Sequence, residues 1–451
     1  MYFRMKTKQS QKKLFITTIS GAVTLIVILF VSAEEQSKPA DERPTNKAVF
    51  QNEMIAQENR VSPSDFIIFP WGDMPVNPAS GKWGDFDNMD AMMRDLYECG
   101  FNTSGFIEAK YLEHARNNQL MGILKSGIVP GEKTTQEEAD EKIKSLLDSI
   151  ANPQDSSSVY AIYLCDEPNA SLFPQLKIWA DAVSKQHVLP YINLFPDYAL
   201  SQQLGTKDYD EYLDQYVKTC TPPYISYDNY SIFHDRKLDE DRFFGNLESI
   251  RHQSLQDNIP FWNVILSNAH FDYTDPSEAT LAVQVYSTLA YGGKGIGYFT
   301  YYTPQSGNYR LGPVDRFGFR TETWEMMRYI NLQIHAIVPE LNKLTNVNVF
   351  HTGQIPRNGQ DIRSAKNVGR ININAKLLVG EFHDTEGRPY AMIVNKDLQL
   401  SVGLDFAFKK FNETKPDTVI VISQFDQGKR VLFNKGNNWL APGCGVLVTV
   451  K

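Results

Sequence analysis

Two adjacent acids, Asp166 and Glu167, end the apolar run "VYAIYLCDEPNA" at residues 159–170. A buried-looking strand that stops on two carboxyl groups raises a chemical expectation. A carboxyl group that keeps its proton near neutral pH can act as a general acid. A second, ionised one can act as base or nucleophile. A third acid, Asp228, stands among rings in "YISYDNY". Other short apolar runs end on groups of complementary type: Trp71 and Asp73, Asn102 and Phe106, Asn193 and Asp197, Tyr227 and Tyr230, Asn268 and His270, and Tyr298, Tyr301 and Tyr302. Acids, amides and flat rings are what a sugar site needs: proton transfer, hydrogen bonds to hydroxyls, and platforms for ring faces. No Ser-His-Asp order, metal-ligand spacing or cofactor motif stands among them.

The elements that carry these residues alternate regularly. Apolar runs at 65–73, 101–106, 120–128, 159–168, 188–197, 224–230, 260–268 and 295–304 are separated by helical patterns. "TTQEEADEKIKSLLDSI" opens on a Thr-x-x-Glu capping box and repeats apolar residues at Ile143, Leu146, Leu147 and Ile150. Eight strand–helix units in succession predict a (β/α)8 TIM barrel over residues 61–343. An open doubly wound sheet is disfavoured, because no Gly-rich phosphate turn follows the first strand. From residue 344 to 451 the pattern changes to short strands divided by turns, such as "PYAMIVNKD" and "TVIVISQFD". That predicts a C-terminal antiparallel β-sandwich.

Charge and composition narrow the partners. The chain has 451 residues, a formal charge of −8 and no basic stripe, which argues against a nucleic-acid partner. Residues 1–33 place Arg4, Lys6, Lys8, Lys12 and Lys13 before an apolar run from Leu14 to Ala33. This predicts export, by a cleaved signal peptide ending Val31-Ser32-Ala33 or an uncleaved membrane anchor. Residues 34–60 read as a polar linker. Cys99, Cys165, Cys220 and Cys444 fit neither a metal site nor a disulfide framework, and are expected as small buried hydrophobes.

"DEPN" at the end of the fourth strand resembles the Asn-Glu-Pro motif of (β/α)8 glycoside hydrolases of clan A-like architecture, family 42 β-galactosidases among them. "LAYGGKGIGYFTYY" and the closing "LAPGCGVLV" are also similar to that group, so the resemblance spans about residue 65 to 451. It implies a barrel hydrolase of O-glycosidic bonds in which the fourth-strand acid, here Glu167, donates the proton. To hold that proton, Glu167 needs desolvation or like charge. Asp166, Asp228 and Tyr163 would provide them.

The chain departs from the pattern at the seventh strand. There the family carries its nucleophilic Glu, and "VILSNAH" offers Ser267 and Asn268 instead. Among the following acids, Glu278 reads as part of a helix cap. Asp228 is therefore the expected second carboxylate. Asp166, Trp71, Asp73, Asn193, Tyr227, Tyr230, Asn268, His270, Tyr298 and Tyr301 are expected to contact substrate. Two alternatives stay open. The Asp166-Glu167 pair resembles that of substrate-assisted N-acetylhexosaminidases, and Tyr227-Asp228 the Tyr-Asp motif of family 18 chitinases. The absent seventh-strand Glu also fits a glycan-binding barrel without catalysis.

Overall fold

The computed structural model describes residues 66–75, 83–235, 237–409, 418–434 and 438–451. The expected targeting segment at 1–33 and linker at 34–60 lie outside the described residues. No described helix is long and apolar enough to cross a membrane.

Eight parallel strands, β1 (Ile67–Pro70), β2 (Thr103–Ile107), β3 (Met121–Lys125), β4 (Val159–Asp166), β5 (Leu189–Leu194), β6 (Ile225–Asp228), β7 (Phe261–Leu266) and β8 (Gly295–Phe299), form one sheet. The main helices that follow them in turn are α1 (Met89–Glu98), α2 (Leu112–Asn117), α3 (Gln136–Asp148), α4 (Phe173–Ser184), α5 (Tyr209–Cys220), α6 (Glu240–Asp257), α7 (Glu278–Ala290) and α8 (Glu322–Leu341). The sheet curls until β1 meets β2, where Asn102 N donates to Ile68 O at 3.2 Å and Phe106 N to Gly72 O at 3.1 Å. Asn102 staples the same seam from the strand's start: its side chain accepts from Ile68 N and donates to Phe66 O. It is a closure residue, remote from the strand ends where it was expected to act.

Strand alternation sends one set of side chains inward and the other toward the helices. Ile67, Phe69, Tyr191, Tyr224, Trp262 and Val264 fill the barrel interior. Trp262 stacks on Tyr224 with ring centroids 3.7 Å apart. Two glycines of β8 make room for these rings: a Cβ on Gly295 would lie 2.6 Å from Trp262, and one on Gly297 2.8 Å from Phe69. The barrel floor is therefore packed, and a cleft opens above it, at the C-terminal strand ends. Ile68, Ile162, Ile192, Ile225, Ile265 and Ile296 face outward into the helix layer.

Helix starts follow local chemistry. Thr135 and Glu138 close the expected capping box on α3. On α7 the cap is Ser277, paired with Thr280, while Asp275 lies upstream in an ion pair with Arg310.

The C-terminal strands are β9 (Thr345–His351), β10 (Val368–Arg370), β11 (Leu377–His383), β12 (Pro389–Asn395), β13 (Val402–Gly403), β14 (Ala407–Phe408), β15 (Val419–Ile422), β16 (Arg430–Leu432), β17 (Trp439–Leu440) and β18 (Gly445–Val450). Six of them build an antiparallel sheet in the order β16-β15-β18-β12-β11-β9, and β10-β14 and β13-β17 pair separately. Alternation along β12 and β18 divides two cores. Tyr390, Met392, Val394 and Leu447 pack with the barrel's helix layer. Ala391, Ile393, Val446 and Val448 pack with Leu404, Phe406 and Phe408 inside the sandwich. The close approach to α7 depends on Gly380, whose absent Cβ would collide with the Ala290 carbonyl.

Candidate active site

The approach of the three acids begins with an irregularity in β4. Tyr163 pairs with Tyr191 and Cys165 with Ile192, so two residues of β4 advance against one of β5. Leu164 and Cys165 both face the helix layer, and the next residue returns to the inside. Without this bulge the alternation would turn Asp166 outward. Instead Asp166 faces Asn193 of β5. Glu167 follows with φ 44°, in the left-handed region that ordinary side chains avoid, and its amide donates to Asn193 O at 2.8 Å. Backbone held there by its surroundings is a common feature of functional sites.

Asn193 joins two of the acids. Its Nδ2 donates to Asp166 Oδ1 at 3.2 Å and to Asp228 Oδ1 at 2.9 Å. Two oxygens on one nitrogen cannot be further apart than those two distances together. Asn193 Oδ1 in turn accepts from Ser226 Oγ at 2.9 Å. With its amide so occupied, Asn193 is a clamp for the acids, where substrate contact was expected of it.

All three carboxyl groups are pushed above the ordinary range. Burial raises Asp166 to about 6, partly opposed by the Asn193 hydrogen bond. Burial, then the charge of Asp166, raises Glu167 to about 7. Asp228, only 6% exposed, rises well above its usual value through burial, then through the charges of Glu167 and Asp166. At neutral pH Asp166 is the more readily ionised of the two neighbours and Glu167 is poised near half-protonation, while burial and the adjacent acids disfavour ionisation of Asp228.

Beside the acids lies a cleft of about 540 Å³. Trp71, Trp83, Phe106, Tyr163, Phe299 and Tyr302 line it, with Asp73, Thr300 and Gln305 among its polar members. Trp71 sits between Phe106, at 5.3 Å, and Phe299, at 5.4 Å. Phe106 stacks on Tyr163 at 4.4 Å, and Tyr230 on Phe299 at 5.5 Å. None of the three acids lines this cleft. Tyr163, three residues before Asp166, connects them to it. Asp73 stands at the rim, ion-paired with Lys125 at 2.8 Å.

The end of β7 carries no acid. Ser267 Oγ donates to Thr300 O, and Asn268 Nδ2 donates to Thr300 Oγ1. Asn268 Oδ1 lies 3.0 Å from His270 Nδ1. An amide oxygen only accepts, so Nδ1 carries the hydrogen and Nε2 is left as an acceptor. Burial, then the charge of Arg310, lowers His270 to about 4, so the ring is neutral. It meets Phe299 at 5.7 Å and Tyr230 at 6.2 Å.

The structure thus gathers Trp71, Asp73, Asp166, Glu167, Asn193, Asp228, Tyr230, Asn268 and His270 at one end of the barrel. Tyr227 and Tyr298 do not join them, and Tyr301 borders the cleft with its hydroxyl turned away from it. Ser226 and Asp228 face inward, so Tyr227 between them faces the helix layer. Tyr298 donates to Asn331 of α8 at 2.7 Å. Tyr301 donates to Asp95 of α1 and accepts from Trp324 of α8. Asp197 is likewise engaged elsewhere, by Arg357 from the sandwich. Phe299, one residue beyond Tyr298, is the ring that reaches the cleft. Trp83, Phe299 and Tyr309 were missed; for Phe299, alternation counted back along β8 was the available signal. Cys165 is inert, with burial pushing its thiol up to about 12.

No protein-family model and no curated protein sequence matches the chain. Solved structures do resemble it. A family 39 glycoside hydrolase from Bacteroides cellulosilyticus WH2 is 12% identical, with a TM-score of 0.45 over 87% of this chain and 82% of that one. A family 51 α-L-arabinofuranosidase from Bifidobacterium longum is 9% identical, with a TM-score of 0.46 over 87% and 97%. A structure described only as a glycoside hydrolase is 11% identical, with a TM-score of 0.51 over 85% of this chain and 92% of that one. At that identity the last of these establishes a shared fold: a (β/α)8 barrel followed by a β-sandwich.

Proposed function

We propose that the protein is an exported glycoside hydrolase in which Glu167 protonates the leaving oxygen of a poly- or oligosaccharide. The observation that carries this reading is a carboxyl group poised near neutrality at the end of β4, beside an ionised acid and a ring-lined cleft. As the glycosidic C–O bond breaks, the Glu167 proton passes to the departing oxygen. Positive charge develops on the sugar ring, and the Asp166 carboxylate is the nearby group that opposes it. Water completes the hydrolysis and returns a proton to Glu167. Asp228 was the expected second carboxylate, but its burial and the charges of Glu167 and Asp166 disfavour its ionised form, and the ionised role falls to Asp166. Export is supported by the basic and then apolar start of the chain.

A second reading has its own support. An ionised Asp166 next to a protonated Glu167, with an acid-free end to β7, suits a substrate whose 2-acetamido group attacks its own anomeric carbon. Faster turnover of 2-acetamido than of 2-hydroxy glycosides would favour it. For the central reading, Glu167→Gln should lower turnover by about 10²–10⁴-fold with the fold intact. Near-normal turnover in that variant rejects it. A wild-type chain that binds glycans and hydrolyses none would be a glycan-binding barrel.

A further inference from the structure

We propose that the loops following β7 and β8 form a rigid ledge that binds a neutral polysaccharide chain as it leaves the cleft; this rests on the glycan reading of that cleft. Phe271 is 69% exposed, Phe317 73%, Phe319 49% and Leu311 45%. All four lie within these two loops. Single exposed apolar residues are ordinary, whereas a cluster at the mouth of a site is not.

The exposure is built in. Ala269 and Arg310 exchange backbone hydrogen bonds at 2.9 Å each way. Asn308 accepts from Phe271 N and donates to Phe271 O, at 2.9 and 3.1 Å. Asp315 Oδ1 accepts from Phe317 N and Phe319 N, at 2.8 and 2.9 Å. Phe271 and Leu311 have φ of 46° and 58°, a conformation that bulky side chains rarely adopt. The fold holds strained backbone at two positions and leaves both side chains in water.

The ledge is continuous with the cleft at both ends. Phe271 and Tyr309 flank His270 at 4.9 and 4.6 Å, and His270 meets the cleft wall at Phe299. At the other end Trp83, a lining residue, donates to Arg316 O at 3.3 Å. Charge selects the occupant. Arg310 is paired with Asp275, and Arg316 is bound to the carbonyls of Pro304, Ser306 and Gly307. The charged residue lining the cleft is an acid, Asp73. Among the described residues lining the cleft, no cation is present to favour uronate or sulfate groups. Neutral sugars present apolar ring faces for stacking and hydroxyls for the exposed amide oxygen of Gln305, whose nitrogen is bound to Arg316 O.

The test is retention of the full chain on insoluble cellulose, xylan, mannan and chitin, with polygalacturonate gel and phosphatidylcholine vesicles as alternatives. The variants are Phe271→Asn, which tolerates the left-handed backbone, Phe317→Ser, and both together. Leu432→Ser, a similarly exposed position on the edge strand β16 of the C-terminal sheet, controls for general adhesion. Wild-type retention on at least one neutral polymer should fall about tenfold in the double variant. It should be unchanged in Leu432→Ser, and circular dichroism should be unchanged throughout. The proposal is overturned by no retention on the neutral polymers, by equal retention of the double variant, by equal loss in Leu432→Ser, or by preference for polygalacturonate or vesicles. Polymer retention without hydrolysis would defeat the hydrolase reading and leave the ledge standing.

Discussion

Glu167→Gln should make the protein more heat-stable above neutral pH while removing its proton donor. An ordinary glutamate ionises near 4.5 and Glu167 near 7. Between those values the folded chain keeps a proton that the unfolded chain has released. Wild-type stability therefore falls as pH rises through this window and stays lower above it. Each pKa unit corresponds to about 1.4 kcal/mol, so the full displacement is about 3 kcal/mol; partial exposure of the carboxyl to solvent reduces this to about 1–2 kcal/mol. With an unfolding entropy of about 2 cal/mol/K per residue, the rise in Tm for a chain of this length is about 1–2 °C. Glutamine has the same shape and no charge, and it also relieves the repulsion felt by Asp228. Differential scanning calorimetry at about pH 4, 6 and 8 should show a difference near zero at the lowest value and full at the highest. A difference independent of pH, or a less stable variant at about pH 8, would refute the electrostatic argument.

Asn193→Ala should move the acidic limb of the pH–rate profile upward by about one unit, because a hydrogen bond that lowers Asp166 is lost. A uniform loss of rate with an unchanged profile would mean that Asn193 only supports the fold. Trp71→Ala should raise KM about tenfold, while Tyr298→Phe should leave KM unchanged and lower Tm, since the Tyr298 hydroxyl serves Asn331. A KM effect from Tyr298→Phe would contradict the assigned direction of β8.

Much of the barrel was legible because each inner strand is a short apolar run closed on both faces, and such runs stand out between amphipathic helices. The strand ends were less so. Which side chain faces the cleft depends on alternation, and alternation depends on register. The bulge at Leu164-Cys165 that turns Asp166 inward leaves no mark on residue types. Nor does residue type distinguish Tyr227 from Asp228, although one faces the helices and the other the cavity. Strand β9, "TNVNVFH", escaped notice because its early positions are polar and its apolar residues few. The ledge depends on contacts between residues 269 and 310, held by loop hydrogen bonds that have no periodic signature. Asn193 was recognisable as a strand-end amide, but its role as a clamp needed both carboxylates in place.

The central claim is that Glu167 delivers the proton to the leaving group. Its most direct test compares Glu167→Gln with wild type on two glycosides of the same sugar, one with a strongly acidic aryl leaving group and one with an alkyl leaving group. An acidic phenol departs without protonation; an alcohol does not. The variant should cleave the aryl glycoside within about tenfold of wild type and the alkyl glycoside about 10²–10⁴-fold more slowly. An equal loss on both would contradict the claim and move the proton donor elsewhere in the site.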